Sequence, residues 1–507
     1  MHEMRVTYTL NTELSIHRPN ISASADLSQS KSQELSTMKL FQVISIYLAA
    51  TCMQQVSAVA RPSKLADIRQ VKKSYEKPKL GKSARSFDGS AKTAISSEGA
   101  TIPNEIFNLV KSILGAGVLG LPAGVAAFGN APSALIPALL MIAVLGVFSS
   151  YGFVLIGRVC AFTGATSYRD AWEKSVGKRG SWMPALACLL VTLCSVVAYS
   201  MILCDTIPQL MDSIGILGIT RTKALLGVTL VVLLPLCLLK ELQSLAPFSL
   251  AGIIGMLYTT LAMAARFFGG QYKEGGALLQ SVASEFQPSF GTKGASGVLS
   301  PNAFILVSML STASMSHYLA HKFYIELRNN TIARYKIVVH TSFFISTLFF
   351  AAIASVGFLT FGASSSGLIL NNYSTKDTLM SMSRVAVVIS LLTSYPLAFT
   401  GARDGVLDLT GVASAKRTPQ MLNVLTLVLL GGVTICAYCV RDLRLIFSLG
   451  GATWGNAVIY LFPTYMFVQC AKKMPELNKE VPVATATGFL GLFMGIIGTV
   501  KALESAR

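Results

Sequence analysis

Residues 104–129 form an apolar run long enough to cross a bilayer, since about 20 helical residues span the hydrocarbon. Its centre nevertheless reads Gly115-Ala116-Gly117 and then Gly120-Leu121-Pro122. Glycine lets another backbone or a ligand come close, and proline removes an intrahelical donor, so this helix is built to break partway across. Inside hydrocarbon, the N–H and C=O groups freed by a break must be buried in protein or line a cavity. Two readings follow: a mid-membrane binding site of the kind that discontinuous helices build, or a GxxxG-like face for close helix packing.

Ten more apolar runs follow, at 132–158, 182–206, 224–239, 248–268, 302–327, 335–361, 379–400, 421–440, 445–470 and 483–502. Counting the first, the expectation is an all-α polytopic membrane protein with eleven transmembrane helices. The composition agrees: 52% hydrophobic and 13% charged residues, with a mean hydropathy of +0.57, are too apolar for a soluble chain of 507 residues. The run at 224–239 is short, which calls for a thin local bilayer or for snorkelling by Lys223 and Lys240. A net charge of +18 would ordinarily point to nucleic acid. Here much of the basic excess lies before Pro103 and in alternate loops, at Arg158, Arg169, Lys174, Lys178 and Arg179, at Arg328, Arg334 and Lys336, at Lys416 and Arg417, and at Lys472, Lys473 and Lys479. That alternation is the positive-inside pattern, so the partner is the lipid bilayer and no nucleic acid, with the N-terminal tail on the cytosol-like side and the C-terminus opposite. On this orientation the sequon Asn372-Tyr373-Ser374 lies on the usable face and Asn329-Asn330-Thr331 on the wrong one. Residues 269–300 are rich in Gly, Ser and Gln and read as an external loop. The nine cysteines show neither metal spacing nor a disulfide framework and read as packing residues.

The N-terminal region divides into an aperiodic Ser- and Thr-rich leader, 1–37, a signal-peptide-like stretch, 38–60, and a basic stretch, 61–102. The middle stretch begins Met38-Lys39, continues with a short apolar run and ends in small residues near Ala58 and Ala60. Its order is similar to the two-part plastid presequence of algae with secondary plastids, although Val59 stands where that pattern has Phe. The alternative is a disordered cytosolic tail. The membranes that fit are accordingly an organellar one (plastid envelope, endomembrane or vacuole) or the plasma membrane.

An inverted five-plus-five repeat would make the sixth span the partner of the first. Its middle, Ser311-Thr312-Ala313-Ser314, is small and polar where a lipid-facing helix would be apolar. Two pseudo-equivalent spans interrupted or polar at mid-depth point to a site between them. Half-helix N-termini there would offer N–H groups to a carboxylate, while carbonyls and hydroxyls would take an ammonium.

The run FNLVKSILGAGVLGLP resembles the first helix of the amino acid/auxin permease superfamily, which includes vesicular, lysosomal, proton-coupled and sodium-coupled neutral amino acid transporters. AYSMILCDTIP at 199–208 with its preceding Ala198, His317 followed by Tyr324-Ile325-Glu326-Leu327, SRVAVVISLLTSYPLAFTGAR at 383–403 and SLGGATWGNAVIYLFP at 448–463 are similar to further blocks of that family in the same order. The resemblance covers 103–502. It implies an eleven-helix inverted-repeat bundle with discontinuous first and sixth helices, and an amino acid as small-molecule substrate. It also implies substrate-binding positions at Ser112, Gly115, Ala116, Gly117, Tyr199, Ser311, Thr312 and Ser314, and coupling positions at Lys111, His317, Thr393 and Ser394.

Sodium-coupled members carry Asn where this chain has Lys111, and proton-coupled members often carry Lys. An ammonium there would occupy the place and charge of Na⁺; the other reading is a lysine that snorkels to the interface. His317 is either a proton-coupling group or a helix-to-helix hydrogen bond, His321 and His340 read as structural, and Glu326 with Arg328 as a hinge or ion pair. The family's aromatic pair before the sixth-helix His is replaced by Ser, Ala and Met, so the pocket wall differs. The function implied is secondary transport of neutral amino acids or related zwitterions, proton-coupled or exchanging. A sensor that keeps the bundle and signals through its N-terminal tail is the alternative. No H-E-x-x-H, intramembrane Asp pair or Gly-x-Ser-x-Gly supports an enzyme, and no cofactor or metal is implied.

Overall fold

The computed structural model describes residues 99–238, 246–410, 412 and 417–505. The leader segments 1–37 and 38–60, nearly all of 61–102, and Lys240 and Lys416 lie outside the described residues. The helices in chain order are α1 Ile102–Ile113, α2 Leu121–Ala126, α3 Leu135–Thr163, α4 Tyr168–Ser175, α5 Trp182–Ser213, α6 Arg221–Leu238 and α7 Ala246–Phe268. They continue with α8 Ala303–Ala313, α9 Ala320–Glu326, α10 Ile332–Phe361, α11 Thr378–Leu409, α12 Pro419–Cys439, α13 Leu443–Ala471 and α14 Val481–Ser505. Among the described residues the only β pairing is two isolated bridges, Ala100 with Leu327 and Ser289 with Gly362.

Nine helices among the described residues are long and apolar enough to cross a membrane, and the first span adds a tenth as a bent pair, Ile102–Ile113 and Ala116–Ala126, turning 46° at the break. The chain is a multi-pass integral membrane protein. The remaining expected span falls on α7, whose described apolar part, Gly252–Phe268, is shorter than the others. The short run at 224–239 becomes α6 by starting at Arg221, where the Thr220 side chain caps the helix by accepting from the Lys223 amide. Residues Thr229–Leu233 form a wide π-helical turn inside it.

Two charged clusters at the ends of the bundle are paired, as a low-dielectric interior favours. Asp377, fully buried, caps α11 by accepting from the amides of Leu379 and Met380 at 3.0 and 3.3 Å. It also takes Arg266 of α7 at 2.7 Å and the hydroxyl of Tyr272 at 2.9 Å. Burial and then the Asp377 charge push the Tyr272 phenol well above its ordinary pKa, so it stays a donor. The neighbouring Arg384, with no exposure, donates to Gln209 Oε1 at 2.9 Å and to the carbonyls of Leu370, Tyr373 and Ser374. Loop 269–300 closes over this cluster through Tyr272 and through the Ser289–Gly362 bridge. At the other end of the bundle Arg158 of α3 donates to Glu480 Oε1 at 3.0 Å and lies 4.7 Å from the Phe467 ring centroid.

One sequence expectation is corrected here. Asn372 has no exposed surface: its Nδ2 donates to Ser364 O at 2.7 Å and its Oδ1 accepts from the Ser366 amide at 2.9 Å. The side chain a glycan would occupy is consumed by the loop itself, so the sequon is structural. Expression in a glycosylating host should therefore give a protein whose mobility is unchanged by glycosidase. Asp377→Ala, which strands the Arg266 guanidinium, should destabilise the fold by about 3 kcal/mol in a detergent thermal melt.

Candidate functional site

α1 ends at Ile113, and Gly115 is extended (φ −85, ψ −173) before a tight helical turn, Ala116–Gly120, leads into α2 with Pro122 in its first turn. The first amide of the second half to find an acceptor is Val118, on Gly115 O at 3.4 Å, which leaves the amides of Ala116 and Gly117 ahead of it. The span Ala303–Glu326 is interrupted as well: α8 ends at Ala313, Ser316 has φ −133 and ψ 2, and a turn at His317–Leu319 precedes α9. There the first bond is Leu319 N to Ser316 O at 2.9 Å.

The two breaks meet. A Cβ on Gly117 would lie 3.1 Å from Ala313 Cα, so the space of the missing side chain is taken by α8. Gly115 is open by comparison, its nearest neighbour being Tyr199 Oη of α5 at 3.4 Å from an added Cβ. The third wall is α13, whose run Gly451–Gly455 and Ala457–Leu461 is wound as wide π turns. At Gly451 the backbone of α13 comes so close that an added Cβ would stand 1.8 Å from Ser308 O. Thr312 donates to Phe447 O of this helix.

The hydroxyls of α8 divide by face. Ser311 donates to Asn456 Oδ1 at 2.8 Å, and Ser314 lies 3.3 Å from Ser149 Oγ, itself 3.1 Å from Tyr460 Oη. Ser311 and Ser314, one turn apart, thus point to α13 and α3 respectively, whereas Ala313 takes the face toward α1. Of the residues singled out from sequence, Gly115, Ala116, Gly117, Tyr199 and Thr312 gather round the breaks. Ser311 and Ser314 join a separate hydroxyl network, and Ser112 is bound to its own helix through Asn108 O at 2.8 Å. Sequence reasoning passed over Ser316, in the second break, and Trp454, in the π-wound run of α13, whose Oγ and Nε1 are buried without partners. It also passed over Tyr318, within electrostatic reach of Tyr199. The glycine-rich run around Trp454 was the available signal.

Lys111 does not snorkel. Its Nζ is buried without a hydrogen-bond partner, and an added Cβ on Gly252 of α7 would stand 3.6 Å from Lys111 Cε and 2.8 Å from Ser390 Oγ of α11. The amine is thus delivered between α7 and α11, beside Ser390, one turn before Thr393 and Ser394. Thr393 itself donates to Ile389 O and Ser390 O at 3.1 and 2.9 Å. His317 is fully buried, and its Nε2 donates to Ser149 O at 2.8 Å. Its Nδ1 has no partner, and Phe153 and Phe343 stand edge-on at 5.3 and 5.7 Å. Since a carbonyl only accepts, the hydrogen is on Nε2; a second N–H would be buried among aromatic rings with nothing to receive it. In this conformation His317 serves as a helix-to-helix hydrogen bond. His340 Nδ1 likewise pairs with Ser150 Oγ at 2.8 Å.

Two interrupted spans of a multi-pass membrane protein thus meet at Gly117 and Ala313, with backbone N–H groups of the first left over. Residues 98–501 match the family model described as transmembrane amino acid transporter protein, and the chain belongs to that family. It is 24% identical over 409 residues to "Putative sodium-coupled neutral amino acid transporter 11" of Danio rerio, covering 79% of this chain and 86% of the relative. Similarity to "Vacuolar amino acid transporter 2" of Saccharomyces cerevisiae is 23% over 419 residues, 79% and 82% of the two chains. "Amino acid transporter AVT6E" of Arabidopsis thaliana is 23% identical over 431 residues, 81% and 84% of the two.

The two glycines should separate in mutagenesis. Gly117→Leu wedges α8 away from the break and should lower thermal stability by about 1–3 kcal/mol. Gly115→Ala, which meets only a tyrosine hydroxyl, should keep wild-type stability, as judged by size-exclusion profile and melting temperature.

Proposed function

We propose that the protein is a secondary active transporter of neutral amino acids or related zwitterions, independent of sodium and either proton-coupled or exchanging. The observation that carries this reading is the meeting of the two broken spans at Gly117 and Ala313, with the amides of Ala116 and Gly117 left over at the first break and Ser316 Oγ, in the second break, buried without a partner. Such donors suit a carboxylate, and the exposed carbonyls at the C-terminal end of α1 suit an ammonium. Counting α7 as a crossing makes eleven spans, in which α1 with α2 and α8 with α9 stand first and sixth. That is where an inverted five-plus-five repeat places its pair of discontinuous helices. Tyr199 would close the pocket over Gly115, and Thr312 would fix the α8 wall to α13.

Independence from sodium rests on Lys111. An ion site needs oxygen ligands, and an ammonium about 4 Å from the ion adds repulsion of about 4 kcal/mol at an effective dielectric near 20. The buried amine stands beside Ser390 and one turn from Thr393 and Ser394, the hydroxyls that would otherwise offer those ligands.

Uptake of a labelled amino acid panel by proteoliposomes, with and without a pH gradient and in sodium or choline, tests the proposal. Wild type should accumulate a neutral amino acid equally in both salts. Lys111→Asn should lower this flux or make it respond to sodium; a steep sodium requirement in wild type refutes the coupling role of Lys111, and no uptake of any member refutes the transport reading.

A further inference from the structure

Glu105, one turn into α1, is 1% exposed, and neither carboxylate oxygen accepts a hydrogen bond. Among the described residues no charged group bonds its carboxylate. On α9 the charge that bears on it is the exposed Glu326, of the same sign. On α10, Tyr335 uses its hydroxyl on Ala320 O at 3.1 Å, Arg334 donates to Arg328 O at 3.2 Å, His340 is engaged by Ser150, and Lys336 is exposed. On α7, Tyr258 donates to Leu379 O and Arg266 is paired with Asp377. On its own helix, Lys111 reaches the other way, to Gly252 and Ser390. An ionised carboxylate in such a place, stripped of water and facing a like charge, is held only at great cost, whereas a neutral carboxylic acid is not.

The same spot is where the two discontinuous spans are tied a second time. Ala100, just before α1, donates to Glu326 O at 2.8 Å and accepts from the Arg328 amide at 3.0 Å. A Cβ on Gly99 would come within 2.7 Å of Glu326 O, so the strands of the bridge are in close contact. The Glu105 amide bonds to Thr101 O at 2.9 Å, so the acid stands in the helical turn that directly follows this junction in the chain.

We propose that Glu105 is a proton-binding site that latches the Ala100–Leu327 junction, closed when the carboxyl is protonated and opened when the proton leaves. Ionisation sets two carboxylates against each other and demands water, and parting the junction answers both. The charge pattern puts this junction on the cytosol-like side, so the latch is an inner gate that a low pH on that side keeps shut. This deepens the transport reading and rests on it for its purpose, though the latch itself is measurable without transport.

The test is hydrogen exchange of the full-length reconstituted protein across a pH series, followed by mass spectrometry of peptides covering 99–106 and 324–330. In wild type, exchange corrected for its intrinsic pH dependence should rise about tenfold per pH unit below the midpoint of the transition, as a single proton release dictates. Glu105→Gln, neutral at every pH, should abolish the rise, and Glu105→Asp should keep it with a moved midpoint. A protonated-carboxyl band should disappear from the infrared spectrum of wild type on alkalinisation and be absent in Glu105→Gln. Exchange that follows the intrinsic rate alone in wild type, or the same rise in Glu105→Gln, overturns the latch. Should Glu105→Gln not fold, wild type and Glu105→Asp decide it between them. Neither readout uses substrate, so a protein that transports with a pH-independent junction refutes only the latch, and one that latches without uptake refutes only the transport.

Discussion

In a bilayer every backbone polar group must find its partner within the protein, and this structure departs from continuous helix where the departure can be enclosed. The break at Gly115 and the break at Ser314 to Ser316 are therefore not independent features. Each is tolerable because the other, with α5 and α13, covers it: Gly117 lies on the backbone of Ala313, Tyr199 stands over Gly115, and the wide turns of α13 reach Ser308 and Thr312. A continuous helix at either position would leave the facing break exposed to lipid.

The charges follow the same logic. Asp377 and Arg384 are buried and, with the half-buried Arg266, form a satisfied group in which a capping carboxylate, two guanidinium groups and a ring of carbonyls use up their hydrogen bonds. Such a cluster rigidifies one end of the bundle and has nothing left over for a ligand. Glu105 and Lys111 contrast with it. Both lie on α1, both are buried at their charged atoms without partners, and they face opposite ways, one toward the end of α9 and the other between α7 and α11. Uncompensated ionisable groups on a helix already built to break are where a change of protonation can bias conformation.

The first break was legible from residue type alone, because glycine and proline act on the backbone of their own helix, whereas the second holds neither and was marked only by small polar residues where a lipid-facing helix would be apolar. The series of apolar runs was legible for a similar reason: length and hydropathy are properties of a segment. The family resemblance held because its blocks recur in order over nearly the whole apolar chain. What those signals could not say is which way a side chain faces. Ser311, Thr312, Ala313 and Ser314 read as one polar patch, yet successive residues on a helix lie about 100° apart, and the structure sends Ser311 to α13, Ser314 to α3 and Ala313 to Gly117.

Tertiary structure alone decided the remaining assignments, because each depends on groups far away in the chain. Asn372 carries a valid sequon and is buried by Ser364 and Ser366 of its own loop under cover of Phe286. His317 has a titratable ring, and the carbonyl of Ser149 fixes its hydrogen on one nitrogen. Lys111 could have reached the interface from its sequence position, and packing against Gly252 instead keeps its amine inside. Glu105 stands in a first helical turn, where carboxylates are common and solvated. Its isolation was created by α9 and α10 closing over it. Sequence by itself determined where the backbone cannot stay helical and which segments must leave water, since both are local properties of the chain. The identity of each polar group's partner was decided by the fold, since burial and hydrogen bonding are properties of neighbours that sequence distance does not reveal.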